Sequence, residues 1–391
     1  MIDRSLGVAA ARGFRAAGIA AGIKATGDPD LTLVVNDGPA DAAAGVFTRN
    51  KVKAAPVLWS QQVLTTGTLK AVILNSGGAN ACTGPEGFQD THATAEKVAD
   101  VLGIGAIDVA VCSTGLIGER LPMDAVLSGV DTAVQRLDHG AEAGLAAATA
   151  VMTTDSVPKQ TSLRHADGWT IGGFAKGAGM CAPNMATMLS VITTDAVIDK
   201  SEVDSALRTA VERTFNRLDV DGGTSTNDTV LLLVSGASGR TAVPAEFTAA
   251  LTEVCADLVA QLQADAEGTT KHVTIIVRGA ATDAEAVATA RTVAQDNLCK
   301  TAFFGSDPNW GRIAMAVGNA PTEFDQRNLD IVLNGVAVCK GGLRGVDRES
   351  VDLSGKDILV EIDLHAGEGT GTVLTTDLSH GYVEENSAYS S

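Results

Sequence analysis

The segment KGAGMCAPNMATMLS, residues 176–190, places a threonine where a turn runs into an apolar stretch. Pro183 fixes its own φ and disfavours helix at the residue before it, and Asn184 tolerates turn geometry, so we expect a sharp bend. The apolar residues of MLSVIT, 188–193, predict a short buried strand after that bend. Thr187 therefore lies at a turn-to-strand junction, where a rigid element can aim its side chain into a site.

The chemistry open to Thr187 depends on the bond before it. A threonine hydroxyl is a weak nucleophile and needs an adjacent base. If the bond between Ala186 and Thr187 is cut, Thr187 gains an α-amino group with a reference pKa of about 8 beside its own hydroxyl. The small Ala186 and the bent backbone favour attack of the hydroxyl on the preceding carbonyl. The segment thus permits self-cleavage, although an ordinary loop entering a core strand explains the same residues.

Other common catalytic patterns are missing. The KGAG stretch has no Walker spacing, and Ala182 stands where G-x-G-x-x-G needs its last glycine. The serine elbow G-x-S-x-G is not present, since Ser238 in SGASGR comes one residue late. The six cysteines include no C-x-x-C pair and the six histidines no H-x-x-x-H pair, so we predict no metal site.

Composition limits the partners of the protein. With 391 residues, of which 45% are hydrophobic and 19% charged, the chain can form two or three globular lobes. Its net charge of −18 disfavours nucleic acid and anionic membranes as partners. No stretch approaches the roughly 18 apolar residues of a membrane span. Arg12 and Arg15 interrupt the N-terminal segment, which lacks the apolar core of a signal peptide, so we expect a soluble cytoplasmic protein.

Strand and helix patterns alternate along the chain and predict an α/β or α+β fold. Two segments, LKAVILNSGGANACTG and IDVAVCSTGLIGERLP, each indicate a strand that enters a glycine-rich loop. DTHATAEKVADVLGI predicts a helix that begins near Asp90 or Thr91. Further helices are predicted at MDAVLSGVDTAVQRL, DKSEVDSALRTAVERTFN and AEFTAALTEVCADLVAQLQADAEG, with a buried strand at NDTVLLLVSG. From about Asn328 onward, alternating residues and glycine-rich turns indicate a smaller, mainly antiparallel sheet.

The segment KGAGMCAPNMATML closely resembles the autoprocessing signature of the glutamate N-acetyltransferase, or ornithine acetyltransferase, family of arginine biosynthesis. Similar segments occur over most of the chain. In order they are GFRAAGIAAGIK, VFTRNKVKAAPV, NSGGANACTG, CSTGLIGERLP, MTTD, TSTNDTV, DAEGTTK, KTAFFGSDPNWGRI and EENSAYSS. Their number and order make a chance likeness implausible.

The resemblance implies a role for each matching residue. Thr187 is the nucleophile, exposed by cleavage between Ala186 and Thr187, and its α-amino group is the base. Thr114 and Gly115 in CSTGLIG match the pair that stabilises the oxyanion. Thr154 is the alternative to Thr153 if the register at MTTD is shifted by one. The substrate-binding set that the resemblance implies is Thr153, Lys176, Thr187, Glu267, Asn386 and Ser391.

The same resemblance implies the architecture. It predicts a layered αββα-type sandwich lobe, with a smaller and mainly antiparallel C-terminal αβ lobe from about residue 275. Self-cleavage gives an α chain, 1–186, and a β chain, 187–391, which are wound together and paired as α2β2.

The implied reaction is a ping-pong acetyl transfer. Thr187 takes the acetyl group of N2-acetylornithine, releases ornithine and passes the group to L-glutamate, without a metal or an organic cofactor. The sequence leaves open whether acetyl-CoA is also a donor. Two other functions stay open: a self-cleaving N-terminal-nucleophile aminopeptidase or amidase, which passes the acyl group to water, and a non-catalytic small-molecule binding protein.

Overall fold

The computed structural model describes residues 1–180 and 188–388. These residues form two compact units, one made of residues 1–180, 188–216 and 224–262 and the other of residues 217–223 and 263–388. The predicted cleavage site, Ala186 and Thr187, and the predicted binding residue Ser391 lie outside the described residues. Of the helices that are described, none combines the length and apolarity needed to span a bilayer.

The described part of the first unit contains two β-sheets, five complete helices and most of a sixth. Its strands are β1 (Ile2–Asp3), β2 (Phe14–Ile19), β3 (Leu31–Asn36), β4 (Ala43–Phe47), β5 (Ala71–Gly78), β6 (Val109–Leu116), β7 (Lys159–Arg164), β8 (Thr170–Lys176), β9 (Leu189–Thr194) and β10 (Thr229–Val234). Its helices are α1 (Ala55–Val63), α2 (Gly84–Leu102), α3 (Met123–Gln135), α4 (Ala141–Ala150), α5 (Lys200–Arg213) and α6 (Pro244–Ala264).

The two sheets are packed face to face. One has the strand order β1-β7-β8-β9-β10-β4 and the other β2-β3-β5-β6. Phe174 and Leu231 of the first share a hydrophobic core with Val34 and Ile73 of the second. Helices α1 to α4 contact the four-stranded sheet and α5 contacts β4. On α6, Phe247 packs its ring 5.8 Å from that of Trp169, next to β8. These layers confirm the expected αββα arrangement.

The central strands β9 and β10 explain why their segments are so apolar. They pair in parallel, and all twelve of their residues are buried. Strands covered on both faces need continuous apolar runs rather than alternation. The strand predicted at residues 188–193 is thus confirmed as β9.

The start of α2 differs from the prediction. The helix begins at Gly84, and not near Asp90 or Thr91, because a proline occupies its first turn, where the missing N–H leaves no intrahelical bond unmade. Asp90 lies inside the helix and its carboxylate binds the guanidinium of Arg120 at 2.6 Å. The hydroxyl of Thr91 donates to the carbonyl of Gly87 at 3.0 Å.

The second unit is built on one sheet with the order β14-β13-β12-β15-β11-β16, in which β11 and β15 alone are parallel neighbours. Its strands are β11 (His272–Ala280), β12 (Asp330–Leu333), β13 (Val336–Lys340), β14 (Leu343–Arg344), β15 (Asp357–Asp363) and β16 (Gly369–Thr376). Its helices are α7 (Asp283–Ala294), α8 (Asn297–Phe304), α9 (Trp310–Gly318) and α10 (His380–Ala388). The mainly antiparallel sheet is as expected. The lobe boundary near residue 275 and the division between 186 and 187 stay predictions.

Candidate active site

Two lysines and one aspartate form a buried cluster at the end of β8. Lys176 is the last residue of β8, and Lys159 begins the antiparallel neighbour β7. The carboxylate of Asp155 lies 2.6 Å from Lys159 Nζ and 3.8 Å from Lys176 Nζ. All three side chains are at most 1% exposed. Two ammonium groups thus face one carboxylate inside the protein.

The carboxyl group of Asp155 responds to both lysines. Burial alone would raise its pKa, but the charges of Lys176 and Lys159 outweigh burial and lower the pKa to about 2. The backbone N–H groups of Thr153 and Gly177 also donate to this carboxylate, at 3.0 and 2.7 Å. Asp155 therefore stays ionised at neutral pH and fixes both the chain before β7 and the end of β8.

Lys176 joins two of the predicted threonines. Its Nζ donates to Thr153 Oγ1 at 2.7 Å and to Thr114 Oγ1 at 3.3 Å. Each hydroxyl accepts from the ammonium group and keeps its own hydrogen to donate elsewhere. The structure thus brings Thr114, Thr153 and Lys176 together, whereas Thr154 is exposed.

Gly115 follows Thr114 at the end of β6 and presents its backbone where β5 and β6 lose their regular pairing. Its φ is +133°, and a Cβ at this position would lie 2.5 Å from the backbone nitrogen of Gly78. Only glycine fits so close an approach in this conformation. The strand end is therefore shaped by backbone rather than by side chains.

A network of amides and hydroxyls fixes this strand end. Ser113 Oγ donates to Asn75 Oδ1 at 2.6 Å, and Asn75 Nδ2 donates to the carbonyl of Gly78 at 3.0 Å. Asn227 Nδ2 donates to the carbonyls of Ser113 and Ala79 at 2.8 and 2.6 Å. Because these groups are buried and mutually bonded, the backbone that carries Thr114 has little freedom.

A buried carboxyl group holds the residue after Thr187. The backbone N–H of Met188 donates to Asp228 Oδ1 at 3.1 Å. Burial raises the pKa of Asp228 well above its usual value, against the opposing effects of this hydrogen bond and of the charge on Lys176. Asp228 thus holds the backbone one residue from the predicted nucleophile.

Sequence reasoning missed Asp155, Lys159 and Asp228 as parts of the site. Asp155 and Asp228 were nevertheless inside the matched segments MTTD and TSTNDTV. The signal that could have found Asp228 is an acidic residue directly before a strand of buried apolar residues, which needs a partner in the fold.

Two further predicted residues meet in the second unit. Asn386 Nδ2, on α10, donates to Glu267 Oε2 at 2.9 Å. The contact is possible because Gly268 has a φ of +59° and no Cβ, which would lie 2.0 Å from the backbone nitrogen of Tyr382. Ser379 Oγ donates to the carbonyl of Gly268 at 2.5 Å. The start of α10 therefore packs directly on the backbone beside Glu267.

Asp377 and Lys300 anchor the two segments that bring Glu267 and Asn386 together. The carboxylate of Asp377 accepts the backbone N–H groups of Thr270 and Lys271, both at 2.9 Å. Lys300 Nζ donates to the carbonyl of Thr376 at 2.5 Å, and burial lowers the pKa of Lys300 to about 8. The carboxylate and amide are thus placed by buried polar contacts.

Comparison with known sequences gives the family. The ArgJ family model matches residues 15–391. The arginine biosynthesis bifunctional protein ArgJ of Mycolicibacterium paratuberculosis is 64% identical over 393 residues, which cover 99% of this chain and 97% of that protein. The proteins of the same name from Mycobacterium tuberculosis and Streptomyces coelicolor are 61% and 58% identical, and each match covers 99% of this chain and at least 97% of the relative.

Solved structures include two similar proteins. Ornithine acetyltransferase from Mycobacterium tuberculosis, complexed with ornithine, is 65% identical, with a TM-score of 0.47 and coverage of 48% of this chain and 99% of that chain. The arginine biosynthesis bifunctional protein ArgJ of Bacillus halodurans is 38% identical, with a TM-score of 0.48 and coverage of 50% and 97%. Because the family model matches from residue 15 to the last residue and relatives are up to 64% identical over nearly the whole chain, this chain belongs to the ArgJ family.

Proposed function

We propose that this chain transfers the acetyl group from N2-acetylornithine to L-glutamate by a ping-pong route, through acetyl-Thr187. As a member of the ArgJ family it is an acyltransferase of arginine biosynthesis, with glutamate N-acetyltransferase and amino-acid N-acetyltransferase activities. The proposed route rests on one observation: the ammonium group of Lys176 donates hydrogen bonds to the hydroxyls of both Thr114 and Thr153. Lys176 pairs with Leu189 of β9, and β9 begins just after Thr187.

Self-cleavage comes first in this proposal. The hydroxyl of Thr187 attacks the carbonyl of Ala186, the peptide C–N bond breaks, and an ester joins the two residues. Water then hydrolyses the ester and leaves Thr187 with a free α-amino group. The hydrogen bond from Met188 to Asp228 supports this step, because it fixes the backbone directly after the nucleophile.

Acetyl transfer uses the amino group as the base. It takes the proton of the Thr187 hydroxyl as the oxygen attacks the acetyl carbonyl, and the proton passes to the departing ornithine amine. The amine of glutamate then attacks the acetyl ester, the bond between the acetyl carbon and the Thr187 oxygen breaks, and N-acetylglutamate leaves. The α-amino group of Thr187 passes the proton of the glutamate amine to the Thr187 oxygen. In both steps the carbonyl oxygen becomes negative, and the Thr114 hydroxyl and the Gly115 N–H donate to it. Thr114 can do so because its oxygen already accepts from Lys176.

Charge recognition follows from the other predicted residues. Lys176 and the Thr153 hydroxyl suit the α-carboxylate that both amino acids carry, since a lysine with a neutral donor forms charge-assisted hydrogen bonds to a carboxylate. Glu267, held by Asn386, suits an ammonium group. Ser391 completes the proposed substrate-binding set.

The wider setting of the reaction is also part of the proposal. We infer that the α and β chains of one precursor stay associated and pair as α2β2, and that the enzyme works in the cytoplasm. The route needs neither a metal nor an organic cofactor, because the nucleophile, the base and the oxyanion donors all come from the chain.

Self-cleavage is tested at the nucleophile. We expect the wild-type protein to separate on a denaturing gel into the chains 1–186 and 187–391, and Thr187→Ala to stay whole because it lacks the attacking hydroxyl. Thr187→Ser keeps a hydroxyl and serves as the matched control, which we expect to cleave. An active wild-type enzyme that migrates as one full-length band would contradict the proposal.

The oxyanion role is tested with Thr114→Val, which keeps the shape of the side chain and removes its hydroxyl. We expect kcat to fall by about 100- to 1,000-fold, the usual loss for one such donor, with little change in KM. Thr114→Ser, which keeps the hydroxyl, should retain most of the activity. Only mature, fully cleaved protein is compared, so that slow processing is not mistaken for slow catalysis. A Thr114→Val enzyme with wild-type kcat, or with a changed KM alone, makes Thr114 a structural residue.

The ammonium contact is tested with Glu267→Gln, which can still accept the hydrogen bond from Asn386 but carries no charge. We expect inhibition by ornithine to weaken by about 10- to 100-fold, because one hydrogen bond to a charged group contributes about 1.5–3 kcal/mol. The control is Glu385→Gln, an exposed residue of α10. Equal inhibition constants for the wild-type and Glu267→Gln enzymes would remove Glu267 from the substrate-binding set.

A further inference from the structure

A lysine outside the predicted substrate-binding set lies beside the hydrogen-bonded group formed by Thr114, Thr153 and Lys176. Lys24 is half-buried, and its Nζ donates to the carbonyls of Met152 and Pro29 at 2.8 and 2.9 Å. Met152 directly precedes Thr153, whose hydroxyl accepts from Lys176. Two ammonium groups therefore bind consecutive residues of the segment that leads to Asp155.

The loop that carries Lys24 is built around a buried carboxylate. Asp30 is fully buried, and its carboxylate accepts four consecutive backbone N–H groups. The donors are Ala21 at 2.6 Å, Gly22 at 3.1 Å, Ile23 at 2.6 Å and Lys24 at 2.9 Å. Such a nest of N–H groups around an anion holds the backbone in one conformation. These hydrogen bonds fix the backbone of Lys24. A lysine that contacts only solvent does not require such a fixed backbone.

The stem of Lys24 also lies against the strand end that presents Gly115. Gly77 of β5 pairs with Gly115 of β6 and has a φ of +105°. A Cβ on Gly77 would lie 3.2 Å from Lys24 Cγ and 3.1 Å from Ile23 Cγ2. Lys24 is therefore next to both walls of the site, the Thr153 segment and the oxyanion strand end.

The electrostatic setting agrees with this placement. Burial lowers the pKa of Lys24, and the charge of Lys176 adds to this shift, whereas the carboxylates of Asp30, Asp28 and Asp155 oppose it. The ammonium group of Lys24 is thus close enough to interact with the charges of both Lys176 and Asp155.

The number of carboxylates on the two substrates indicates which group Lys24 would bind. Lys176, with Thr153, is already proposed for the single α-carboxylate that ornithine and glutamate share. Glutamate alone carries a second carboxylate, on its side chain. Lys24 uses two of its three ammonium N–H groups on carbonyls and has a third for a ligand.

We propose that Lys24 binds the side-chain carboxylate of the acceptor and so selects a dicarboxylic amino acid in the second half-reaction. This inference rests on the proposed ping-pong function. Lys24 touches the acceptor and not the acetyl group, so its loss leaves the first half-reaction unchanged.

The test compares glutamate with glutamine, which has the same shape and a neutral side chain. For mature enzyme at saturating N2-acetylornithine, kcat/KM is measured with each acceptor. We expect the ratio of glutamate to glutamine to fall by about 10- to 100-fold in Lys24→Met, mainly through loss of activity with glutamate. Lys24→Arg should keep part of the preference. Lys356→Met removes an exposed lysine of the second unit and should keep the wild-type ratio.

The first half-reaction supplies the second readout. Without an acceptor, wild-type enzyme and Lys24→Met should each convert N2-acetylornithine to one ornithine per active site, at the same rate. The amount of ornithine released also counts the folded sites. An unchanged ratio of acceptors, or an equal loss in both half-reactions, overturns the assignment. If wild-type enzyme itself gives no ornithine burst, the ping-pong function fails instead, and the ratio still reports on Lys24. If Lys24→Met does not fold, Lys24→Gln is judged by the same criteria.

Discussion

The carboxylate of Asp155 is the group on which the first unit of this enzyme depends. Two lysines with almost no exposure would be strongly unfavourable inside the protein without it, since an unpaired buried charge typically costs several kcal/mol. By accepting from Lys159 and from the backbone of Gly177, Asp155 also joins β7 to the end of β8. Lys176 is then held where it reaches Thr153 and Thr114, so that one buried anion sets the positions of the cation proposed to bind substrate and of the proposed oxyanion donor.

Similar contacts recur beside the other residues that we propose to act in the reaction. Buried aspartates accept backbone N–H groups and thereby fix loops: Asp30 under Lys24, Asp377 beside Glu267, and Asp228 at Met188. Their charge states differ with their neighbours. Asp155, between two lysines, has a pKa lowered to about 2, while burial raises the pKa of Asp228 well above its usual value.

Local patterns predicted much of this arrangement, and tertiary contacts decided the rest. The apolar run after the Pro-Asn pair at 183–184 was sufficient to predict β9, and glycines after an apolar run predicted the end of β6. The lysine pair around Asp155 was not predictable, because it depends on the antiparallel register that sets Lys159 opposite Ala175. The role of Asp30 likewise depends on a loop closing over it. The start of α2 was misplaced because polar residues typical of a helix start, Asp90 and Thr91, lie inside that helix on its buried side.

The central claim is that Thr187 carries the acetyl group between the two amino acids. Intact-mass analysis of the mature enzyme tests it most directly, before and after incubation with N2-acetylornithine and again after addition of glutamate. The account predicts one acetyl group on the chain 187–391, located at Thr187 by fragmentation, formed with release of ornithine and lost when glutamate is added. Unmodified chains together with ornithine release that requires glutamate would contradict it, since the group would then pass directly from donor to acceptor.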